Sequence, residues 1–190
     1  GFEDGYAIDN NNFGNHRGLT MAFAAFAMSI ATAYLIEPVS MLLPEMSDEM
    51  KQKMEMMIGG PVWVTFISVS IFAPFFEEWL CRGIVLRGLL KNLRPAWAIV
   101  ISAAFFALIH MNQWQAVPAF LMGLVFGYVY YKTGSLKLTM LMHFANNTMA
   151  LALSQIPSLK DAENFTDVLS PWAYGGVYAL ALVVLIFGII

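Results

Sequence analysis

The sequence carries little charge for its length. Of its 190 residues, 12% are Asp, Glu, Lys or Arg and 59% are hydrophobic, with a formal net charge of -3. Soluble domains contain about 25% charged residues, so this composition excludes an ordinary soluble domain. No basic tract is present, and we therefore expect no nucleic-acid partner. The one cysteine, Cys81, excludes an intramolecular disulfide and is expected to be a buried packing residue.

Long apolar runs take the place of the missing charge. They extend over Leu19–Leu35, Val62–Phe76, Ala96–Ile109, Val117–Tyr131, Leu138–Leu153 and Trp172–Ile190. A membrane span needs about 20 apolar residues, so the pattern predicts about six helices of near-spanning length. We predict an all-α, polytopic membrane helical bundle with an intramembrane polar cavity.

The chain divides into four parts. Residues 1–18 are polar and predict a flexible N-terminal lead-in. Residues 19–60 contain the first span and an amphipathic segment, Met41–Met57, suited either to the membrane interface or to a solvated loop. Residues 61–154 form the predicted catalytic core. Residues 155–190 form a polar loop and the final transmembrane helix.

Two carboxylates and an arginine interrupt the long helical stretch that begins at Val62. An ionisable side chain in hydrocarbon costs about 3 kcal/mol or more, so Glu77, Glu78 and Arg82 must face the bundle interior or a water-filled cavity. Glu78 and Arg82 are four residues apart and can pair along one helix face, whereas Glu77 is rotated by about 100°. This spacing predicts an orienting Glu78–Arg82 ion pair and leaves Glu77 to meet other helices. Pro74 predicts a kink just before them.

Two of the three histidines also belong to apolar stretches. A lone histidine there is usually a packing residue, but His110 and His143 accompany the acidic group on two further helices and favour a shared site. At a rise of 1.5 Å per residue, His110 would lie about 21 Å and His143 about 8 Å from the same membrane side. Tilted helices, a re-entrant start near Lys137 or a site near one surface could bring them together.

The three motifs together resemble the CPBP family of intramembrane proteases, which includes the type II CAAX prenyl endopeptidases. They are Glu77-Glu78-Trp79-Leu80-Cys81-Arg82, Phe106-Ala107-Leu108-Ile109-His110 and His143-Phe144-Ala145-Asn146-Asn147. Each motif alone is weak, but the set is complete and in order. The resemblance covers about Ile71–Leu153.

This resemblance implies a role for each site residue. Glu77 with His110 would activate a water for attack on a peptide bond, and His143 with Asn147 would stabilise the oxyanion. Glu78 and Arg82 would hold the site together. Glu77, His110 and His143 are also a zinc-binding set in composition, so a zinc ion and a metal-free, glutamate-activated water are equally open.

Other protease signatures are absent. The sequence contains neither His-Glu-x-x-His nor Gly-x-Ser-x-Gly, and every aspartate lies in a polar segment. These absences exclude the zincin, site-2, serine-hydrolase and intramembrane aspartyl patterns.

We therefore expect an integral, multi-pass membrane endopeptidase, in the plasma membrane if the chain is bacterial. Its partners would be the lipid bilayer and a membrane-associated peptide or lipidated protein, such as a prenylated CAAX-type substrate. Two alternatives remain open from the sequence. One is a transporter or proton relay that uses the same glutamates and histidines, and the other is a non-catalytic scaffold of the bacteriocin-immunity type.

Overall fold

The computed structural model describes residues 8–156, 159, 162 and 164–189, without the side chains of residues 57 and 58. These residues form helices joined by turns, with no strand among them. The helices are α1 (Gly18–Ser40), α2 (Asp48–Ile58), α3 (Val62–Leu89), α4 (Pro95–Leu108), α5 (Gln113–Thr133), α6 (Leu136–Ser154) and α7 (Pro171–Ile189). The predicted all-α bundle is confirmed. Each of the six predicted apolar runs corresponds to a helix, although Ile109 lies just beyond its helix and Ile190 and residues 1–7 lie outside the described residues.

Three of these helices, α1, α3 and α7, are long and apolar enough to cross a membrane. Helix α4 is apolar but has 14 residues, which is short for a span. Large apolar side chains on α3 and α7 point outward, including Phe72, Trp79 and Phe187. Such exposure is expected where lipid rather than water surrounds the helix.

The amphipathic segment folds as α2. Ser47 begins the helix by accepting a hydrogen bond from the Met50 N–H at 3.3 Å. On its exposed face Lys53 bonds Glu49 at 2.7 Å and holds the pKa of that carboxyl below its usual value. The contribution of this pair is therefore present at neutral pH and is lost as the carboxyl becomes protonated in acid.

The core of the bundle lies around α5. One cluster joins α1, α5 and α6 through residues such as Met28, Phe126 and Met142, and a second joins α3, α4, α5 and α6 through Leu86 and Tyr130. Helix α7 packs on α1. Helices α3 to α6 thus enclose a common interior.

The described part of the N-terminal segment lies against this bundle, and the flexibility of the whole lead-in stays a prediction. The Asn10 and Asn12 N–H groups donate to the carbonyls of Gly134 and Thr133, at 3.0 and 2.7 Å. Asp9 accepts from the Leu136 N–H at 2.9 Å and so caps the start of α6. The first N–H groups of α6 have no partner within the helix, which explains why a polar segment packs against its start.

Glycine allows α4 and α5 to approach closely. A Cβ atom on Gly123 would lie 3.1 Å from both Cα and Cβ of Ala103 and from Nη2 of Arg82. We expect Gly123→Ala to lower the free energy of unfolding by about 1–3 kcal/mol, because the neighbouring helix must shift. Thermal unfolding in detergent micelles measures this change.

Gly176→Ala in α7 is the matched control, because nothing lies within 4 Å of the added Cβ. Its higher helix propensity should leave stability unchanged or raise it by up to about 1 kcal/mol. Equal stability of the two variants would show that α4 and α5 do not need this close approach.

Candidate active site

The Glu78–Arg82 ion pair lies at the centre of the bundle. Arg82 Nη1 donates to Glu78 Oε1 at 2.8 Å, and both side chains are fully buried. The pair is therefore present as the four-residue spacing predicted. Glu78 Oε2 and Arg82 Nε are buried without a hydrogen-bond partner in the described part of the chain. A buried charge pair of this kind must stay together to offset its desolvation.

Helix α5 provides further contacts for the guanidinium that the sequence reasoning missed. Arg82 Nη2 donates to the carbonyl of Gly123 at 3.0 Å. The guanidinium carbon lies 4.5 Å from the ring centroid of Phe106 and 5.5 Å from that of Phe126, within reach of cation–π attraction. Gly123 was the sequence signal for this contact, because a glycine in a helix lets a neighbouring helix come close enough to reach its carbonyl.

His143 lies between the two glutamates. Its Nδ1 is 3.1 Å from Glu78 Oε1, and its Nε2 is 3.8 Å from Glu77 Oε2. The Glu78 carboxylate is an acceptor, so the proton of this hydrogen bond belongs to His143 Nδ1. Nε2 is left to act toward Glu77.

The two adjacent glutamates differ in accessibility. The Glu77 side chain is 28% exposed, whereas that of Glu78 is fully buried. The rotation between consecutive helix positions causes this difference. Glu78 is committed to Arg82 and His143, while Glu77 can contact a small molecule outside the core.

His110 lies just beyond the end of α4, and not within it as predicted. The helix ends at Leu108, and Met111 adopts a positive φ of 54° where the chain reverses. The Nδ1–H of His110 donates to the Phe106 carbonyl at 2.8 Å. This carbonyl belongs to the last turn, where the regular backbone donors run out. A carbonyl can only accept, so His110 presents an unprotonated Nε2 in its neutral form.

Phe106 lies against both histidines. Its ring centroid is 5.0 Å from that of His110 and 5.4 Å from that of His143, edge to face in each case. His143 therefore meets α4 about one turn before His110. Among the described residues, His110 makes no hydrogen bond or ring contact with Glu77 or His143.

The proposed zinc ligands do not converge as a metal site. Glu77 and His143 are close, but Phe106 occupies the space beside both imidazoles. In the described part of the chain, no group of three or more His, Cys, Asp or Glu side chains is arranged to hold a metal ion. These residues as placed do not fit a zinc ion, and zinc stays an untested prediction.

Asn147 is one turn beyond His143 on α6. Its Nδ2 donates to the Val69 carbonyl of α3 at 2.9 Å, and its Oδ1 accepts from Asn146 Nδ2 at 3.1 Å. Both ends of the amide are therefore occupied. The predicted oxyanion donor is engaged with backbone in this structure.

The segment that contains the candidate site residues has a counterpart among known proteins. Residues 59–149, just under half of the chain, match the family described as type II CAAX prenyl endopeptidase Rce1-like. The chain is related to the CPBP family through this segment. No curated protein and no solved structure gives a significant match.

The CPBP relation covers all six candidate site residues. It is a relation to a CAAX-type family of intramembrane proteases, and the three apolar helices agree with it. The chain is thus an integral membrane protein related to proteases.

Cys81 is fully buried, which confirms the predicted packing residue. Its backbone carbonyl accepts a hydrogen bond from Ser102 Oγ at 2.8 Å.

Proposed function

We propose that the chain is a multi-pass intramembrane endopeptidase that hydrolyses a peptide bond in a membrane-associated substrate, of which a prenylated CAAX-type peptide is the leading class. The observation that carries the proposal is the placement of His143 between a buried and a partly exposed glutamate. If the chain is bacterial, its membrane is the plasma membrane.

The charges of the site suggest how it is set for hydrolysis. The net charge of the cluster is zero when Glu77 and Glu78 are ionised, Arg82 is charged and His143 is doubly protonated. A neutral cluster is favoured away from water because an unbalanced buried charge costs several kcal/mol. In this state the Nε2–H of His143 is a donor for the oxyanion that forms on the attacked carbonyl.

Glu77 supplies the base in this proposal. Its carboxylate takes a proton from water, the hydroxide oxygen bonds to the peptide carbonyl carbon, and the proton is then passed to the leaving amine as the C–N bond breaks. His110, which presents Nε2, assists Glu77 at the attacking water. Glu78 and Arg82 hold His143 in place without contacting the substrate.

A proton relay is the less favoured alternative. Glu77, His143 and Glu78 form a row of titratable groups, as in proton pathways. The row ends at Arg82, which does not release its proton in proteins. The row therefore stops at a group that cannot pass a proton on, whereas hydrolysis uses the same groups without requiring an exit.

A cleavage assay tests the endopeptidase. Purified protein in lipid vesicles is mixed with prenylated and unprenylated forms of one CAAX peptide, and products are identified by mass spectrometry. We expect cleavage of the prenylated peptide and a loss of about 10²–10³-fold in His143→Ala, because a preorganised donor is removed.

Trp172→Ala is the control for this assay, since that side chain is 92% exposed at the start of α7. It should cleave as the unmodified protein does. Cleavage that survives in His143→Ala would contradict the proposed site. Proton flux without cleavage of any peptide would favour the relay, and neither activity would favour a non-catalytic scaffold.

A further inference from the structure

The carbonyl of Val69 occupies an unusual position in α3. Residues Phe66–Phe72 form a widened π-helical stretch, and the Ala73 N–H that ends it donates five residues back, to Ser68. With the same five-residue spacing, the Val69 carbonyl would accept from the N–H of residue 74. That residue is Pro74, and proline has no N–H. The sequence thus leaves the Val69 carbonyl without its backbone partner.

Asn147 supplies the missing donor from another helix. Its Nδ2 lies 2.9 Å from the Val69 carbonyl oxygen. Two carbonyl oxygens cannot share a hydrogen bond, so this contact fixes the orientation of the Asn147 amide. A nearby edge-to-face contact between Phe66 and Phe144, with centroids 6.1 Å apart, packs the same part of α3 against α6. The bond therefore ties two helices whose side chains are already in contact.

The position of this tie connects it to the site. Along α6, Asn147 follows His143 by one turn. Along α3, Val69 precedes Glu77 and Glu78 by about two turns, with Pro74 between them. The bond therefore restrains the two helices that bring His143 to the glutamates.

We propose that Asn147 is a positioning residue whose side-chain amide replaces the backbone donor that Pro74 lacks, and thereby holds Glu77 and His143 in register. As far as catalysis is concerned, this inference rests on the proposed endopeptidase function. Asn147 then acts through α3 and not by contacting the substrate. The family resemblance instead assigns Asn147 to the oxyanion.

These two roles respond differently to Pro74→Ala. The alanine restores an N–H at position 74 that can donate to the Val69 carbonyl. If Asn147 serves that carbonyl, its loss becomes tolerable in the Pro74→Ala background. If Asn147 donates to the oxyanion, the restored N–H cannot compensate for its loss.

The experiment is a double-mutant cycle of Asn147→Ala and Pro74→Ala, with thermal unfolding in micelles and cleavage kinetics as readouts. We expect Asn147→Ala to lower the unfolding midpoint and to reduce kcat by about 10²-fold, as a small misplacement of reacting groups does, with KM unchanged. In the Pro74→Ala background both losses should be largely abolished.

Pro118→Ala is the matched control, because Pro118 also lies within a helix, α5. It should not rescue Asn147→Ala. Additive effects of Asn147→Ala and Pro74→Ala on the unfolding midpoint would overturn the inference. A loss of kcat that is equal in both backgrounds would return Asn147 to the oxyanion.

The two readouts separate this inference from the proposed function. If neither the unmodified protein nor any of the variants cleaves a peptide, the endopeptidase proposal fails. Rescue of the unfolding midpoint by Pro74→Ala would still support the tie between α3 and α6, and its absence would overturn that tie.

Discussion

Glu77→Gln is expected to reduce peptide cleavage by about 10³-fold or more, because an amide cannot accept the proton of the attacking water. Gln has the same shape as Glu, and the side chain is 28% exposed, so the folded bundle should tolerate the change. The measurement is kcat/KM for the prenylated peptide in vesicles, with thermal unfolding of the same preparation. KM should change little, since the loss falls on the chemical step.

Glu78→Gln is the control for that result. It changes the neighbouring residue in the same way, but Glu78 is fully buried and bonded to Arg82 and His143. We expect this variant to lose stability as well as activity, whereas Glu77→Gln should lose activity alone. Substantial cleavage by Glu77→Gln would remove Glu77 from the role of base. An equal loss of stability in both variants would show that the two carboxylates do not have separate catalytic and structural roles.

The sequence predicted the parts of the site that follow from helix periodicity. Four-residue spacing was sufficient for the Glu78–Arg82 pair, because the repeat of the helix places such residues on one face. The same rule set Glu77 apart from Glu78. The apolar runs predicted six apolar helices of the bundle for an equally general reason, which is that hydrocarbon favours apolar helical segments.

The contacts between helices could not be predicted in the same way. Whether His143 meets Glu78 depends on the relative depth of α3 and α6, and no local pattern determines that depth. The apolar neighbours of His110 predict that it belongs to a helix, but α4 ends two residues before it, at Leu108. Asn112 then begins the next helix by accepting the Gln115 N–H at 2.9 Å. Asparagine is a preferred N-cap residue, so that signal was present in the sequence.

Pro74 shows a third case, in which the sequence indicated a feature without its consequence. A proline in a helix predicts a free carbonyl and a kink. Its position does not tell which side chain will serve that carbonyl, since the partner, Asn147, is more than 70 residues away along the chain. Long-range polar contacts of this kind require the packed structure.

Removing one partner of the buried ion pair should have the largest effect on stability. In Arg82→Met the side chain keeps much of its volume but leaves the Glu78 carboxylate in the core with His143 as its remaining partner. We expect the free energy of unfolding to fall by about 3–5 kcal/mol, the usual cost of an uncompensated buried charge. Unfolding in micelles, followed by circular dichroism, measures the change.

The surface pair on α2 is a matched control, because Lys53 and Glu49 have the same four-residue spacing but side chains that are 56% and 78% exposed. Lys53→Met should leave stability unchanged within error, since water replaces the lost contact. A similar result for Arg82→Met would mean that the interior pair contributes no more than a surface one.

The double variant Glu78→Leu with Arg82→Met separates stability from function. Replacing both charges by apolar side chains is often neutral for stability, so the double variant should recover much of what Arg82→Met loses. Cleavage should not recover, because His143 then lacks the carboxylate that accepts its Nδ1–H and orients Nε2 toward Glu77. Recovery of both would show that the ion pair only holds the bundle together, whereas recovery of stability alone supports its role in orienting His143.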